Sequence, residues 1–173
     1  RREAGADFDA LRRCGIAAEA AMLRATAGIN THRGAVFSLG LLVAAAAACR
    51  SRLGHAATGE QVCLEVRRWA ADFARAPLDA GSPGQRARAL HKVPGVREQA
   101  AAGYPLLREV ALPSLRHALA SGLPREAAMC HTLMQLVAHT DDLNLLHRGG
   151  AEGLGWAQQL AHRFLAEGGA FAR

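Results

Sequence analysis

The chain has 173 residues, half of them hydrophobic, which is enough to fill a real core and form one compact domain. Aromatics make up 5% and β-branched residues are sparse beside Ala and Leu, so a β-rich fold is excluded and an all-α one expected. The formal charge of +6 suits anionic partners such as nucleotides or coenzyme phosphates, although an Arg- and Ala-rich chain also arises from coding bias. The basic residues form no long block and are not interleaved with Trp69, Trp156 and Tyr104, so the partner expected is not nucleic acid.

Cys14, Cys49, Cys63 and Cys130 include no C-x-x-C pair and lie in apolar surroundings, as buried thiols of a reducing compartment do. Residues 34 to 49 carry no charge but number sixteen, short of the roughly 20 a bilayer span needs, so the reading is a core helix and no membrane. The N-terminus lacks the apolar region of a signal peptide. A cytoplasmic protein is expected.

Residues 7 to 27 read as an amphipathic helix with Leu11, Cys14, Ala18, Met22 and Leu23 near one face and Asp7 or Asp9 as cap. Glu19 lies among small apolar residues, placed either to face the following segment or to pair with Arg12 or Arg24. That segment, Gly28-Ile29-Asn30-Thr31-His32-Arg33-Gly34, is a polar hinge before a long apolar run. A helix starting near Gly34 presents unpaired N–H groups and a positive dipole end that suit a phosphate, with His32 and Arg33 as further donors. The plain alternative is an ordinary cap by Asn30 or Thr31.

The helix over 34–52 is apolar nearly all round, so it should be the central helix of a single-domain multi-helix bundle. Gly54 ends it, and Thr58-Gly59-Glu60-Gln61 has capping-box spacing for a helix reaching Ala76, with Val62, Leu64 or Glu65, Val66 and Trp69 inward. Residues 77–84 read as a loop, 85–93 as a short basic segment, and Pro94-Gly95 as a turn before 96–102. Pro105 then suits the first turn of a helix to about Ser121, and Pro124 that of a helix to about Asn144.

On this last helix His131, Gln135, His139 and Asp142 share one face as a polar stripe. The stripe leads into Asp141-Asp142-Leu143-Asn144-Leu145-Leu146-His147-Arg148-Gly149-Gly150. Carboxylates with an Asn carbonyl are hard ligands that suit Mg²⁺, so Asp141, Asp142 and Asn144 are the candidate metal residues. His147 and Arg148 would meet phosphate, and the glycine pair lets backbone approach a ligand. No zinc spacing is present. The final helix, 151–167, turns Leu154, Ala157, Leu160, Ala161 and Phe164 to one face and stops at Gly168-Gly169.

Taken together, Gly28 to Gly40 and Asp142-Leu143-Asn144-Leu145-Leu146-His147-Arg148-Gly149-Gly150 resemble the triphosphoribosyl-dephospho-CoA synthase family, whose members serve citrate lyase or malonate decarboxylase. Gly15-Ile16-Ala17-Ala18-Glu19 with Met22, Gly95-Val96-Arg97 with Ala100, and Gly103-Tyr104-Pro105 also match it. The chain departs from the family pattern in having Leu143 in place of Thr and Glu98-Gln99 in place of Gly-Glu after the arginine. The family also carries further N-terminal segments, so the expectation is that residues 1–173 represent the C-terminal two-thirds of its catalytic domain.

The resemblance implies a pentosyltransferase that joins ATP and 3′-dephospho-CoA to give 2′-(5″-triphosphoribosyl)-3′-dephospho-CoA and adenine. It implies Asn30, Thr31, His32, Arg33, Gly34, Arg97, His147, Arg148 and Gly149 as triphosphate binders and Asp141, Asp142 and Asn144 as Mg²⁺ ligands. One of those carboxylates, or Glu19, would act as base. The product would pass to a transferase modifying an acyl-carrier protein, and a homodimer is compatible with this reading. The alternatives are a metal-dependent helical phosphohydrolase using His139 with Asp141-Asp142, and a non-catalytic helical binding module.

Overall fold

The computed structural model describes residues 8–76 and 88–172. The loop expected over 77–84, the first residues of the basic segment and the Asp7 cap lie outside them. No strand occurs among the described residues, as the composition requires, and the chain forms two compact units: Arg1–Ala76 with Val96–Tyr104, and Pro77–Gly95 with Pro105–Arg173.

In the first unit α1 spans Phe8–Ala25 and α2 spans Arg33–Leu53. The inward stripe of α1 is Phe8, Leu11, Gly15, Glu19, Met22 and Thr26, all half-buried, whereas the expected Cys14, Ala18 and Leu23 are exposed. Ala fills so many positions that apolar periodicity does not select a face, and the ring pair Phe8–Phe73 at 5.5 Å fixes the rotation instead. The α2 helix is present, but its enclosure is one-sided. Leu41, Ala45 and Cys49 are buried at i, i+4, i+8, while Leu39 and Val43 are 61% and 69% exposed. At 21 residues α2 outruns its uncharged stretch and is long and apolar enough to cross a membrane by length and composition alone.

Gly54 closes α2 in the left-handed region at φ +76, its N–H bonded to the Arg50 carbonyl. The capping box forms as spaced: Gln61 N–H donates to Thr58 Oγ1 at 3.2 Å, and Thr58 N–H to Gln61 Oε1 at 2.8 Å. The helix it starts breaks into α3 (Gly59–Val66), a 3₁₀ turn (Arg67–Trp69) and α4 (Ala70–Arg75). Cys63, Val66, Trp69 and Phe73 are buried from these. Between Leu64 and Glu65 the inward residue is Glu65, which α3 holds beneath Arg52 Nη2 at 2.9 Å and Arg68 Nη1 at 3.0 Å. After α5 (Val96–Ala101), Gly103 and Tyr104 bring the chain back over α3.

In the second unit the helix expected from Pro105 contains a π turn at Leu107–Ala111 before α6 (Leu112–Ala120). Pro113 explains it. Its ring would clash with the carbonyl four residues back, and the ladder slips so that Leu112 N–H reaches the Leu107 carbonyl. Pro124 starts α7 (Arg125–His139), which stops at His139 rather than Asn144 because Thr140 is extended. The α8 helix then begins at Leu143, eight residues before expectation, and runs to Ala166 across a break at Gly150. Ala118, Ala128, Leu146, Leu154 and Ala161 are buried here, and a 3₁₀ turn, Gly169–Phe171, packs on His131.

Candidate functional site

The Asn30–Gly34 corner in the first unit is built by α1 and α2. Thr26 hydroxyl donates to the Met22 and Ile29 carbonyls, which ends α1, and His32 N–H donates to Met22 Sδ at 3.2 Å. Asn30 Oδ1 accepts from Arg33 N–H at 3.1 Å, so Asn30 does cap the helix. The residue at the backbone N-cap is His32, whose side chain instead meets Thr31 Oγ1 at 2.7 Å. The ladder begins with Val36 N–H on the His32 carbonyl, and no partner among the described residues takes the Gly34 and Ala35 N–H groups. The cap thus leaves two amides at the positive end of a long helix beside exposed His32 and Arg33, an arrangement whose electrostatics favour an anion.

Glu19 faces this corner. Its Oε2 lies 3.0 Å from Arg33 Nε, an ion pair partly open to water. Among the described residues Glu19 pairs with neither Arg12 nor Arg24 but bridges one helix to the start of the next, which orients the Arg33 guanidinium. Arg97, on α5, donates to the Ala76 carbonyl at 2.8 Å and so joins α5 to the end of α4.

The Asp141–Gly150 corner belongs to the second unit. Asp142 Oδ1 accepts from Asn144 N–H at 2.7 Å and from Leu145 N–H at 2.9 Å, capping α8. Asp142 therefore leaves the stripe assigned to α7. His131, Gln135 and His139 do share one face of α7, with burial falling along it: His131 is buried against Phe164 and Phe171, whereas exposed His139 has its Nδ1 2.8 Å from the Gln135 carbonyl. Burial, and next the charge of His117, push the His131 pKa below its ordinary value. Asp141 Oδ1 accepts from Gln158 Nε2 at 3.4 Å, and the same amide donates to the Thr140 carbonyl at 3.2 Å.

His147, Arg148 and Gly149 follow Asn144 along the first turns of α8 and are exposed. At Gly150 the backbone takes φ +64, ψ −167, a region open essentially to glycine, which divides α8 into two rods. No group of three or more His, Cys, Asp or Glu residues among the described residues could hold a metal by itself. A water-rich Mg²⁺ takes one or two carboxylates besides its phosphates, and the Oδ2 atoms of Asp141 and Asp142, which these hydrogen bonds do not use, are donors of that class.

A family model described as CitG: ATP:dephospho-CoA triphosphoribosyl transferase matches residues 1–173, the whole chain. The chain belongs to this family. Among curated CitG relatives, the 2-(5″-triphosphoribosyl)-3′-dephosphocoenzyme-A synthase of Pectobacterium atrosepticum is 39% identical over 160 residues, 90% of this chain and 53% of that protein. Probable enzymes of the same name from Citrobacter koseri and Pseudomonas syringae pv. syringae are 42% and 40% identical, over 92% and 93% of this chain and 54% of each relative. The chain thus spans about half the length of the curated relatives it matches. No solved structure matches it.

Within this CitG-family chain, the contacts of three groups were not read from sequence. Met22 and Thr26 shape the first corner, Gln158 braces the second, and Glu65 ties the end of α2 to α3. Sequence spacing gives Met22 and Thr26 away only once the α1 stripe is known. Two cysteines depart from expectation, since Cys14 and Cys130 are exposed while Cys49 and Cys63 are buried. Burial foremost, with the Glu65 charge, pushes the Cys49 thiol pKa up.

Proposed function

We propose that this chain carries the pentosyl transfer of its family: ATP and 3′-dephospho-CoA give 2′-(5″-triphosphoribosyl)-3′-dephospho-CoA and adenine. The match of the family model to all 173 residues carries this reading. In the reaction the 2′-hydroxyl oxygen of dephospho-CoA bonds to the anomeric carbon of the ATP ribose. The bond to adenine breaks, the hydroxyl proton passes to a base, and adenine leaves with a proton.

The first corner supports a phosphate-binding role through the Gly34 and Ala35 amides, with Asn30, Thr31 and His32 shaping the turn and Glu19 orienting Arg33. In the second corner His147, Arg148 and Gly149 are accessible for phosphate contacts, and within the first unit Arg97 is a further candidate cation. Asp141, Asp142 and Asn144 would hold Mg²⁺, which supplies neutralising charge to the triphosphate. A carboxylate, Asp141, Asp142 or Glu19, serves as base. The product passes to a transferase acting on an acyl-carrier protein, and free thiols and an ATP substrate accord with a cytoplasmic setting.

Mass spectrometry of the products from ATP and 3′-dephospho-CoA tests the proposal, with wild type beside Arg33→Ala and Asp142→Asn. Adenine release that falls at least tenfold in each variant is expected. Release of phosphate instead of adenine by the wild type would assign a phosphohydrolase.

A further inference from the structure

The first unit buries a carboxylate, Glu65, that the proposed chemistry does not use. Its two oxygens are taken separately. Arg52 Nη2, from the last turn of α2, meets Oε2 at 2.9 Å, and Arg68 Nη1, from the 3₁₀ turn after α3, meets Oε1 at 3.0 Å. The Glu65 side chain is 8% exposed, whereas those of the two arginines are 52% and 51% exposed. The pair is therefore anchored at a buried point and open to water. Cys49 Sγ, 3.7 Å from Arg52 Nη2, stays a neutral thiol because burial foremost raises its pKa, so it takes up none of the positive charge.

One guanidinium would neutralise Glu65, and an apolar residue of similar size often holds such a contact with no loss of stability. Two guanidiniums leave a positive charge in excess, carried on planar forks that the shared carboxylate orders in advance. Such forks match phosphate oxygens, and donors ordered before a ligand arrives lose less freedom on binding it. Because both hang from one carboxylate, a single diphosphate can be met by both. Arg33 and Arg52 stand near opposite ends of α2, their Cα atoms roughly 28 Å apart at 1.5 Å per residue, so one triphosphate does not reach both.

We propose that Arg52 and Arg68, positioned by Glu65, form a binding site for a linear diphosphate, separate from the Asn30–Gly34 corner. Inorganic diphosphate and the diphosphate of 3′-dephospho-CoA present the same chemistry to it, and the site does not depend on the transfer reaction.

The test titrates the full chain calorimetrically with inorganic diphosphate and with 3′-dephospho-CoA, with melting temperature as the check on folding. Arg52→Gln and Arg68→Gln are each expected to weaken binding about tenfold. Arg52→Lys keeps the charge and loses the fork, and should show part of that loss. Arg50→Gln, an exposed arginine in the same turn of α2, should change affinity less than about twofold. Glu65→Gln removes a negative charge, which by charge alone tightens anion binding; weakening is expected instead, because the forks lose their anchor. Losses with both probes show that the free anion suffices, and losses with 3′-dephospho-CoA alone assign the coenzyme as the source. Unchanged affinity for both probes in Arg52→Gln and Arg68→Gln, or an equal loss in Arg50→Gln, overturns the site whether or not adenine is released. Tighter binding by Glu65→Gln overturns the positioning role.

Discussion

Replacing Gly103 by alanine probes how tightly the α5 return is fitted to α3. The added Cβ would stand 2.9 Å from the Cys63 carbonyl oxygen and 2.9 Å from Arg67 Cγ. Arg67 can swing aside, but the carbonyl belongs to α3 and moves only if the helix does. That overpacking costs about 1–3 kcal/mol. Holding alanine at the φ of +74 adds about 1–2 kcal/mol, so the expected loss is about 3 kcal/mol. Gly54→Ala is the control, because its φ of +76 is equivalent and nothing lies within 4 Å of its Cβ. It should lose only the backbone share, about 1 kcal/mol. Trp69 is buried in the first unit and Trp156 is exposed in the second, so urea unfolding followed by fluorescence in a Trp156→Phe background reports the first unit. Equal losses at Gly103 and Gly54 would refute the rigid close approach.

Three further outcomes follow from the same geometry. Cys14 and Cys130 should react with a thiol reagent in the folded protein, and Cys49 and Cys63 only after denaturant, which a mass-resolved labelling time course checks. Gly150→Ala should lower Tm by an amount equivalent to about 1–3 kcal/mol through backbone strain alone, whereas Gly153→Ala, inside the second rod and with open space at its Cβ, should gain about 0.5–1 kcal/mol. The depressed pKa of His131 means that the unfolded chain binds its proton first as pH falls below about 6.5. Stability contributed by the neutral ring is therefore complete above that pH and is lost downward toward the folded pKa. Protonation also ends the acceptance of Ala170 N–H by His131 Nδ1. Melting curves from pH 8 to 5 should fall, and His131→Asn should flatten them.

Helix ends marked by their own chemistry were legible. Gly54, the Thr58 box and Pro124 each stop or start a helix where the spacing indicates. The end of α7 was not, because His139-Thr140-Asp141-Asp142 holds neither Gly nor Pro; the break rests on the Asp142 side chain capping the next helix. The π turn was hidden in the same way, since Pro113 reads as an early helical residue until its effect four residues back is followed. At the candidate site the Asn30–Gly34 corner was visible from polarity against an apolar background. The Glu19–Arg33 pair was not resolved from Arg12 or Arg24, since it depends on where the turn after α1 brings the start of the next helix. The left-handed backbone of Tyr104 was not legible, because a residue before proline is expected in extended backbone, and here its N–H is drawn back to the Gln99 carbonyl at 2.7 Å.

The interruption at Gly150 makes the first rod of α8 a separable piece. A continuous helix would pass any rotation near His147 down to the buried Leu154 and Ala161 at fixed angular steps. Here one glycine absorbs the difference, so the exposed turn carrying His147 and Arg148 can be re-aimed while the downstream packing keeps its register.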